Sequence, residues 1–377
     1  MNRRTFILGS VGGLSILAGG GGIFLNRPEF GRLPQGKRLA RIEASPHYVN
    51  GAFRNLVPVS VMNEDSGENR WVATAKFIFG DKSLLSPQQP MLSRKTDLKT
   101  LDLGRDCVVW MGHSTFFLQL GGRRILIDPV FSPYASPLFF INKAFPGSNI
   151  YTAGDMPDID VLAISHDHWD HLDYPTVMAL KPKVKAVVCP LGVGEHFEAW
   201  GFDPGLIYEE DWNEEIKLSE DFSVHILHSQ HFSGRFLTQN PTLWCGFAFV
   251  TSKHKVYYSG DGGYGEHFKE IGRKFDGFDL MLGENGQYNM AWHAIHMLPE
   301  ETAQAAVDVK AKTLLPAHGG KFALARHPWQ EPYQKLALAS QGKGYTLLTP
   351  EIGEPAAIGE AQLRQFDYWW ERMKFMD

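Results

Sequence analysis

The chain has 377 residues, of which 44% are hydrophobic and 21% are charged, and its formal net charge is −5. These values are typical of a soluble globular protein and exclude a disordered, collagen-like or coiled-coil chain. A pI near 6.3 provides no overall basic field, so we predict no nucleic-acid partner. The three cysteines, Cys107, Cys189 and Cys245, show no CxxC spacing, which argues against a disulfide framework or a cysteine-rich zinc site.

The first 27 residues differ from the rest of the chain. Arg3 and Arg4 precede an uncharged, glycine-rich stretch, residues 5–26, and Phe6 stands two positions after the arginine pair. This pattern resembles a bacterial twin-arginine export signal. Because no A-x-A cleavage site is present, an uncleaved N-terminal anchor is the alternative. Both interpretations predict a protein in the periplasm or attached to the outer face of the inner membrane.

The remaining chain divides into two parts. Residues 28–100 are rich in proline, glycine and basic residues and show little periodicity, so we expect an extended arm that packs on the main domain. Beyond residue 100, apolar runs typical of strands alternate with helical patterns. The predicted strands cover residues 108–111, 115–120, 124–127, 160–165, 185–189, 222–227, 247–250, 256–258, 280–282 and 313–315. The predicted helices cover residues 174–180 and 194–200, and a third begins at Pro299. Hairpins followed by β–α units, twice over, predict an α/β domain over residues 101–377 with two mixed sheets face to face and helices outside.

The strongest signal is the hexapeptide HDHWDH, residues 166–171, which directly follows an apolar strand pattern. In the extended chain after a strand, residues i and i+2 point the same way, so His166 and His168 are able to bind one cation. If a helix begins near Asp170, its carboxylate and the His171 ring turn toward a second position. Imidazole and carboxylate are ligand types that zinc accepts. The hexapeptide therefore indicates a metal site rather than an exposed polar loop.

One hexapeptide cannot complete two metal sites, so further ligands must come from other strand ends. His231 follows the predicted strand at 222–227, and His318 follows another apolar run. Asp261 lies in an SGDGG turn, where glycine allows the backbone to approach a ligand closely. His228 stands directly at the end of the strand that precedes His231, so it is the competing candidate for this ligand position.

Three motifs in chain order resemble the metallo-β-lactamase superfamily of binuclear metallohydrolases. They are HDHWDH at 166–171, SGDGG at 259–263 and PAHGG at 316–320. Further motifs are similar to those of the N-acylphosphatidylethanolamine phospholipase D group. They are WMGHST at 110–115, IDPVF at 127–131, SQHFSGR at 229–235, LWCG at 243–246, HMLPEE at 296–301 and HGGKFAL at 318–324. The resemblance covers about residues 47–335.

This resemblance implies a four-layer αββα sandwich that holds two zinc ions through seven ligands. His166, His168 and His231 would bind the first ion, whereas Asp170, His171 and His318 would bind the second. Asp261 would bridge both ions, and a hydroxide between them, its pKa lowered by the cations, would be the nucleophile. The family pattern places the ligand at His231 and leaves His228 without a role.

The resemblance also implies which residues serve catalysis. Asp170 and Asp261 would act through the metal ions. His296 would contact the substrate or donate a proton, and the alternative is a helix cap or a surface residue. Two other strand-end residues also have two interpretations: His113 either hydrogen-bonds within its turn or supports a ligand, and Asp128 either hydrogen-bonds a ligand histidine or caps a turn.

Three functions are compatible with the sequence. The resemblance implies a zinc-dependent phosphodiesterase that cleaves a phospholipid. The same site would also suit a lactonase or another hydrolase of carboxylic esters or amides, and the third candidate is a non-catalytic metal-binding envelope protein. The substrate is expected to be a small molecule or a lipid. The aromatic loop at 130–145 suits an acyl chain or a membrane surface, unless it packs against the arm.

Overall fold

The computed structural model describes residues 26–60, 83–235, 238–359 and 365–373. The predicted export signal or anchor, residues 1–27, lies almost entirely outside these ranges. Within the described part of the chain, no helix combines the length and the apolar character that a membrane span requires.

Two seven-stranded sheets form the centre of the molecule. The strands of the first sheet are β3 (Cys107–Trp110), β4 (Phe116–Leu120), β5 (Arg123–Ile127), β6 (Val161–Ala163), β7 (Val187–Pro190), β8 (Ile207–Glu210) and β16 (Pro355–Ala357). The strands of the second sheet are β9 (Glu215–Ser219), β10 (Phe222–Leu227), β11 (Gly246–Thr251), β12 (Lys255–Tyr258), β13 (Leu280–Glu284), β14 (Thr313–Ala317) and β15 (Thr346–Leu347). A separate hairpin precedes them, formed by β1 (Tyr48–Val49) and β2 (Ala52–Phe53).

Both sheets are mixed and have the same internal organisation. The first runs in the order β16-β3-β4-β5-β6-β7-β8, and the second in the order β15-β14-β13-β12-β11-β10-β9. In the first sheet the pairs from β16 to β5 are antiparallel and those from β5 to β8 are parallel. In the second, the pairs from β9 to β12 are antiparallel and those from β12 to β15 are parallel. The predicted pair of mixed sheets is therefore confirmed.

Seven α-helices accompany the sheets in the described residues. They are α1 (Gly36–Ala44), α2 (Tyr174–Leu180), α3 (Gly194–Ala199), α4 (His267–Phe275), α5 (Pro299–Asp308), α6 (Glu331–Ala339) and α7 (Trp369–Arg372). The start of α5 follows from its sequence, because Pro299 has no N–H to leave unpaired and the Glu301 carboxylate accepts the N–H of Leu298 at 2.9 Å. The predicted helices at 174–180, at 194–200 and from Pro299 are all present.

The burial of alternate strand residues produces the layers. On β4, Phe116 and Leu118 face the core between the sheets, whereas Phe117 packs with Phe197 of α3 on the outer side. On the second sheet, Met281 packs outward with Ala303 of α5. Because both faces of each sheet are covered by apolar side chains, the strands read as continuous hydrophobic runs. The architecture is the predicted four-layer αββα sandwich.

The segment expected as an extended arm includes a helix that the sequence pattern did not indicate. Arg38 of α1 makes ion pairs with Glu195 at 2.7 Å and with Glu209 at 2.6 Å, and both carboxylates are almost completely buried. Ile42 of the same helix and Phe53 of the hairpin are fully buried in the core between the sheets. These contacts attach the described part of the segment firmly to the domain.

Candidate metal centre

The structure brings all seven predicted ligands together at one edge of the sandwich. They follow the ends of four strands, where the turns of both sheets converge. The seven side chains are His166, His168, Asp170 and His171 after β6, His231 after β10, Asp261 after β12 and His318 after β14. The backbone joins the two sheets at this edge, because the His113 N–H donates to Gly319 O at 2.7 Å and the His318 N–H donates to His113 O at 3.1 Å.

Three imidazoles form the first half of the centre. His168 Nδ1 lies 2.9 Å from His166 Nε2 and 3.2 Å from His231 Nε2. The outer nitrogens of two rings are already bound, since His231 Nδ1 donates to the carbonyl of Ile295 at 3.2 Å and His166 Nδ1 lies 2.9 Å from Ser165 Oγ. The remaining nitrogens therefore face one another with their lone pairs, an arrangement that a shared cation would satisfy.

Asp261 connects this group to the second half. Its Oδ2 lies 3.9 Å from both His166 Nε2 and His231 Nε2, and 3.1 Å from His171 Nε2. Its Oδ1 lies 3.1 Å from His318 Nδ1. One carboxylate thus reaches both histidine groups, as expected of a bridging ligand.

Burial sets the ionisation of the ligand side chains. Desolvation and the neighbouring imidazoles lower the pKa of His166 and His231 well below the usual range, so these rings are neutral at pH 7 and keep a lone pair for a cation. His171 differs from these two histidines. Burial acts to lower its pKa, but the carboxylates of Asp261 and Asp170 outweigh this effect and raise the pKa well above the usual range. Burial opposes ionisation of Asp170, but the contacts with His171 and His113 hold its pKa well below the usual range.

Asp128 orients the ligand histidine His171. Its Oδ2 accepts hydrogen bonds from His171 Nδ1 at 2.8 Å, from Ser165 Oγ at 2.6 Å and from the Tyr258 hydroxyl at 2.7 Å. Because Nδ1 is held in this way, the Nε2 of His171 points to the ligand cluster. The sequence left two roles open for Asp128. The structure shows the first of them, a hydrogen bond to a histidine of the predicted ligand set.

His113 supports the second half of the centre. Its ring is fully buried, and its Nε2 donates to Asp170 Oδ2 at 2.8 Å. The next residue, Ser114, places its hydroxyl 3.1 Å from His318 Nδ1. The turn after β3 thus orients two of the predicted ligands, which is the supporting role that the sequence left open for His113.

Two further contacts hold the ligand loops and were not foreseen from the sequence. The buried guanidinium of Arg235 donates through Nη1 to the carbonyl of Asp167, within HDHWDH, at 2.7 Å and to that of Leu172, directly after it, at 2.9 Å. Asn55, from the arm, accepts the N–H of His231 at 3.1 Å and donates to its carbonyl at 2.8 Å. The SGR motif contains Arg235, but its partners are remote in sequence and cannot be inferred from it.

His296 lies beside the cluster, whereas His228 does not. The His296 ring is parallel to that of His318, with centroids 5.3 Å apart, and its Nδ1 donates to the buried Glu284 carboxylate at 3.0 Å. Burial raises the pKa of Glu284 to about 7. His228 instead packs between the rings of Trp212 and His267, at 4.5 and 4.9 Å, away from the seven ligands.

A cavity of about 220 Å³ opens directly above the ligands. Its apolar wall is formed by Phe232, Trp292, Ile295 and Leu324, and its polar wall by His168, Asp170, His231, Asp261, Gln287, His296 and His318. A molecule that enters this cavity meets both the predicted metal ligands and apolar side chains.

The side chains at this site fit divalent cations. In the described structure, His171 Nε2, His318 Nε2 and Asp261 Oδ1 are buried side-chain atoms that make no hydrogen bond. All three belong to the predicted second site or to its bridge, and a bound cation would give each of them a partner. Several overlapping groups of these side chains have their ligand atoms within 4.8 Å of one another, among them His166–His168–His231 and, together with the supporting His113, Asp170–His171–His318.

Comparison with known proteins identifies the family. The family model described as the beta-lactamase superfamily domain matches residues 123–319, and the chain belongs to this superfamily of metal-dependent hydrolases. An uncharacterised protein of Mycobacterium tuberculosis is 40% identical over 336 residues, which is 87% of this chain and 88% of the relative. N-acyl-phosphatidylethanolamine-hydrolyzing phospholipase D 1 of Caenorhabditis elegans is 29% identical over 312 residues, which is 78% of this chain and 85% of the relative. The resemblance stated from the motifs is thereby confirmed.

Solved structures agree with the fold. The isothiocyanate hydrolase from Delia radicum gut bacteria superposes with a TM-score of 0.52 at 18% identity, over 67% of this chain and 98% of that one. At this level of identity the likeness concerns the αββα scaffold alone.

Proposed function

We propose that the protein is a binuclear zinc-dependent phosphodiesterase that hydrolyses a phospholipid, leaving phosphatidate and releasing the head-group alcohol. The observation that carries this proposal is the similarity, over 78% of the chain, to a relative named for hydrolysis of N-acyl-phosphatidylethanolamine. The motifs shared with that group lie around the ligand cluster and its cavity. The seven ligand side chains supply what such chemistry requires.

The side chains of the centre have distinct roles in this proposal. His166, His168 and His231 would hold one zinc ion, while Asp170, His171 and His318 would hold the other, with Asp261 between them. When bound, two such ions supply a nucleophile from water at neutral pH and neutralise charge on a phosphoryl oxygen. Asp128 and His113 keep His171 and Asp170 in place, so that these ligands need not reorganise during the reaction.

His296 is the residue proposed to contact the substrate. Its side chain is 12% exposed and forms part of the cavity wall next to the ligands. The apolar residues of the same cavity, among them Phe232 and Trp292, would exclude water from the polar groups and strengthen their interactions with an anionic substrate.

A loop beside the cavity provides a surface for lipid. Phe139 and Phe140 are adjacent in the chain and are 76% and 67% exposed. The base of the same loop packs through Ala135 against Phe322, and Leu324 of the cavity wall packs against this contact. The exposed rings are thus attached next to the cavity. We therefore include the membrane surface as a partner of the enzyme.

Vesicle sedimentation tests this contact. We expect the double variant Phe139→Ser/Phe140→Ser to lose binding to phospholipid vesicles and to retain hydrolysis of a soluble diester. Leu338→Ser, at a 68% exposed leucine on the outer helix α6, is the matched control and should bind like the wild type. Equal binding by all three proteins would remove the membrane from the proposal.

The proposed location is the periplasm or the outer face of the inner membrane. Its support is the paired Arg3-Arg4 and the glycine-rich stretch that follows them in the sequence. Replacing both arginines by lysine should retain the protein in the cytoplasm, as measured by fractionation. Unchanged fractionation would contradict export by the twin-arginine route.

A substrate screen on metal-reconstituted protein tests the activity. Purified protein is stripped with a chelator, reloaded with zinc and assayed on N-acylphosphatidylethanolamine vesicles, bis-p-nitrophenyl phosphate and a panel of lactones. We expect diester hydrolysis that disappears on chelation and returns with zinc. Lactone hydrolysis faster than diester hydrolysis would replace the phosphodiesterase by the carboxylic-ester alternative, and absence of any turnover would leave a metal-binding protein.

A further inference from the structure

Glu284 is a fully buried carboxylate at the end of β13, on the sheet edge that carries Asp261 and His318. Both of its oxygens have partners in the same loop. Oε1 accepts from His296 Nδ1 at 3.0 Å, and Oε2 accepts the N–H of Met297 at 2.8 Å. The carboxylate therefore fixes the loop that carries His296 against the strand.

The orientation of His296 relative to the ligands is well defined. Its ring is parallel to that of His318, with an angle of 10° between the planes, and stands edge-on to His231 with the centroids 5.0 Å apart. One of its ring nitrogens lies within 4.8 Å of a nitrogen of His231 and of a carboxylate oxygen of Asp261. Because Nδ1 is bound to Glu284, Nε2 is the ring atom that remains for a molecule in the cavity.

The chemistry of the pair explains why a carboxylate stands here. A neutral imidazole has two tautomers, and a carboxylate oxygen that accepts from Nδ1 at 3.0 Å selects the one with the proton on Nδ1. Outer carboxylates of this kind also fix the ring plane. A neutral amide in place of Glu284 would keep the shape but would remove this selection.

We infer that Glu284 is a positioning residue, which sets the tautomer and orientation of His296 so that Nε2 faces the substrate at the ligand cluster. The effect on turnover rests on the proposed function. The tautomer itself is a property of the resting protein and is measurable without a substrate.

Kinetics of Glu284→Gln test the effect on turnover. The Gln side chain still accepts the Met297 N–H but presents an amide donor to His296 Nδ1. We expect kcat on bis-p-nitrophenyl phosphate to fall about 10- to 100-fold, with KM and the bound zinc within twofold of the wild type. Glu284→Asp, which keeps the carboxylate, should recover part of this loss.

Glu301→Gln is the matched control. Glu301 also accepts a hydrogen bond from a histidine of the same loop, His293 Nε2 at 2.8 Å, but His293 is not among the residues of the cavity wall. We expect the kcat of this variant to stay within threefold of the wild type. A loss equal to that of Glu284→Gln would mean that any disturbance of the loop suffices, which would overturn the inference.

Nitrogen-15 NMR of histidine-labelled, zinc-loaded protein provides the readout that is independent of activity. His296→Asn identifies the His296 signals by difference. The inference predicts a protonated Nδ1 in the wild type and a protonated Nε2 in Glu284→Gln. If the wild type hydrolyses nothing but shows this exchange, the proposed function fails and the positioning role stands. If Glu284→Gln changes neither the tautomer nor kcat, or lowers kcat only by losing zinc, the positioning role is overturned.

Discussion

His171 and Asp128 form a fully buried pair in which the ring Nδ1 donates to the carboxylate at 2.8 Å. His171 follows β6 and Asp128 follows β5, two parallel neighbours, so the pair joins adjacent strand ends. The same carboxylate oxygen also accepts from Ser165 and Tyr258, and these partners fix it in one position. The orientation of a candidate metal ligand is thereby determined by residues outside the cavity.

Asp128→Asn tests this support. The asparagine side chain has the same size as that of aspartate. Its NH2 group, however, would face the donors of His171, Ser165 and Tyr258, so His171 would lose its hydrogen-bond acceptor. We expect zinc affinity to fall about 10- to 100-fold, measured by competition with a chromophoric chelator. Asp173→Asn is the control, because Asp173 is also buried but accepts from Ser132 and Thr176 instead of a ligand. Equal zinc affinities in the wild type and Asp128→Asn would contradict this role.

Arg235 is predicted to stabilise the ligand loop. Its replacement by Met leaves the carbonyls of Asp167 and Leu172 without their guanidinium partner, and an unpaired buried acceptor costs about 1 to 3 kcal/mol. We therefore expect the free energy of unfolding in urea to fall by about 2 to 6 kcal/mol for the two acceptors.

Arg123→Met serves as the comparison for that measurement. Arg123 pairs with Asp221 at 2.7 Å at the surface, and exposed ion pairs contribute about 1 kcal/mol or less. An equally small loss of unfolding free energy in both variants would contradict the role of Arg235, because its guanidinium would then not stabilise the loop that carries HDHWDH.

The seven candidate ligands stand out in the sequence because their side chains are of types that bind metal ions and occur at close spacing or at strand ends. HDHWDH places four of them within six residues, and His231, Asp261 and His318 each stand at a turn after an apolar run. The supporting residues lack such a signal. Asn55 lies 176 residues from its partner His231, and Glu284 reads as the last residue of a buried strand. Only the tertiary fold brings these groups to the ligands.

The strands and helices of the domain also differ in how far a local sequence pattern indicates them. Apolar runs between turns predicted the central strands. The helix α1 was not predicted, because only Ile42 of its nine residues is buried. It contacts the domain through the ion pairs of Arg38 and through the buried side chain of Ile42, which no local pattern reveals. The predicted arm therefore contains a helix that propensity alone does not indicate.

Lys321 predicts a pH dependence of stability away from the ligands. Its buried ammonium donates to the carbonyl of Val130, and burial lowers its pKa from 10.5 to about 7. Between these two values the unfolded chain binds the proton that the folded protein has released, so the free energy of unfolding rises with pH. Relative to Lys321→Met, the wild type should gain about 2 kcal/mol between pH 7 and pH 9.

Urea unfolding of both proteins at pH 7, 8 and 9 provides this comparison. Lys335→Met, at an exposed lysine on α6, gives the background for the loss of one lysine. A constant difference between the wild type and Lys321→Met across this range would show that Lys321 keeps its proton in the folded protein.

The most direct test of the binuclear site is elemental analysis combined with turnover of the wild type and Asp261→Ala. Asp261 is the carboxylate within reach of both histidine groups. We predict two zinc ions per chain in the wild type, together with diester hydrolysis. In Asp261→Ala both the metal content and the hydrolysis should be lost while the protein remains folded. A wild-type protein without transition metal, or an Asp261→Ala variant with full metal content and activity, would contradict the assignment.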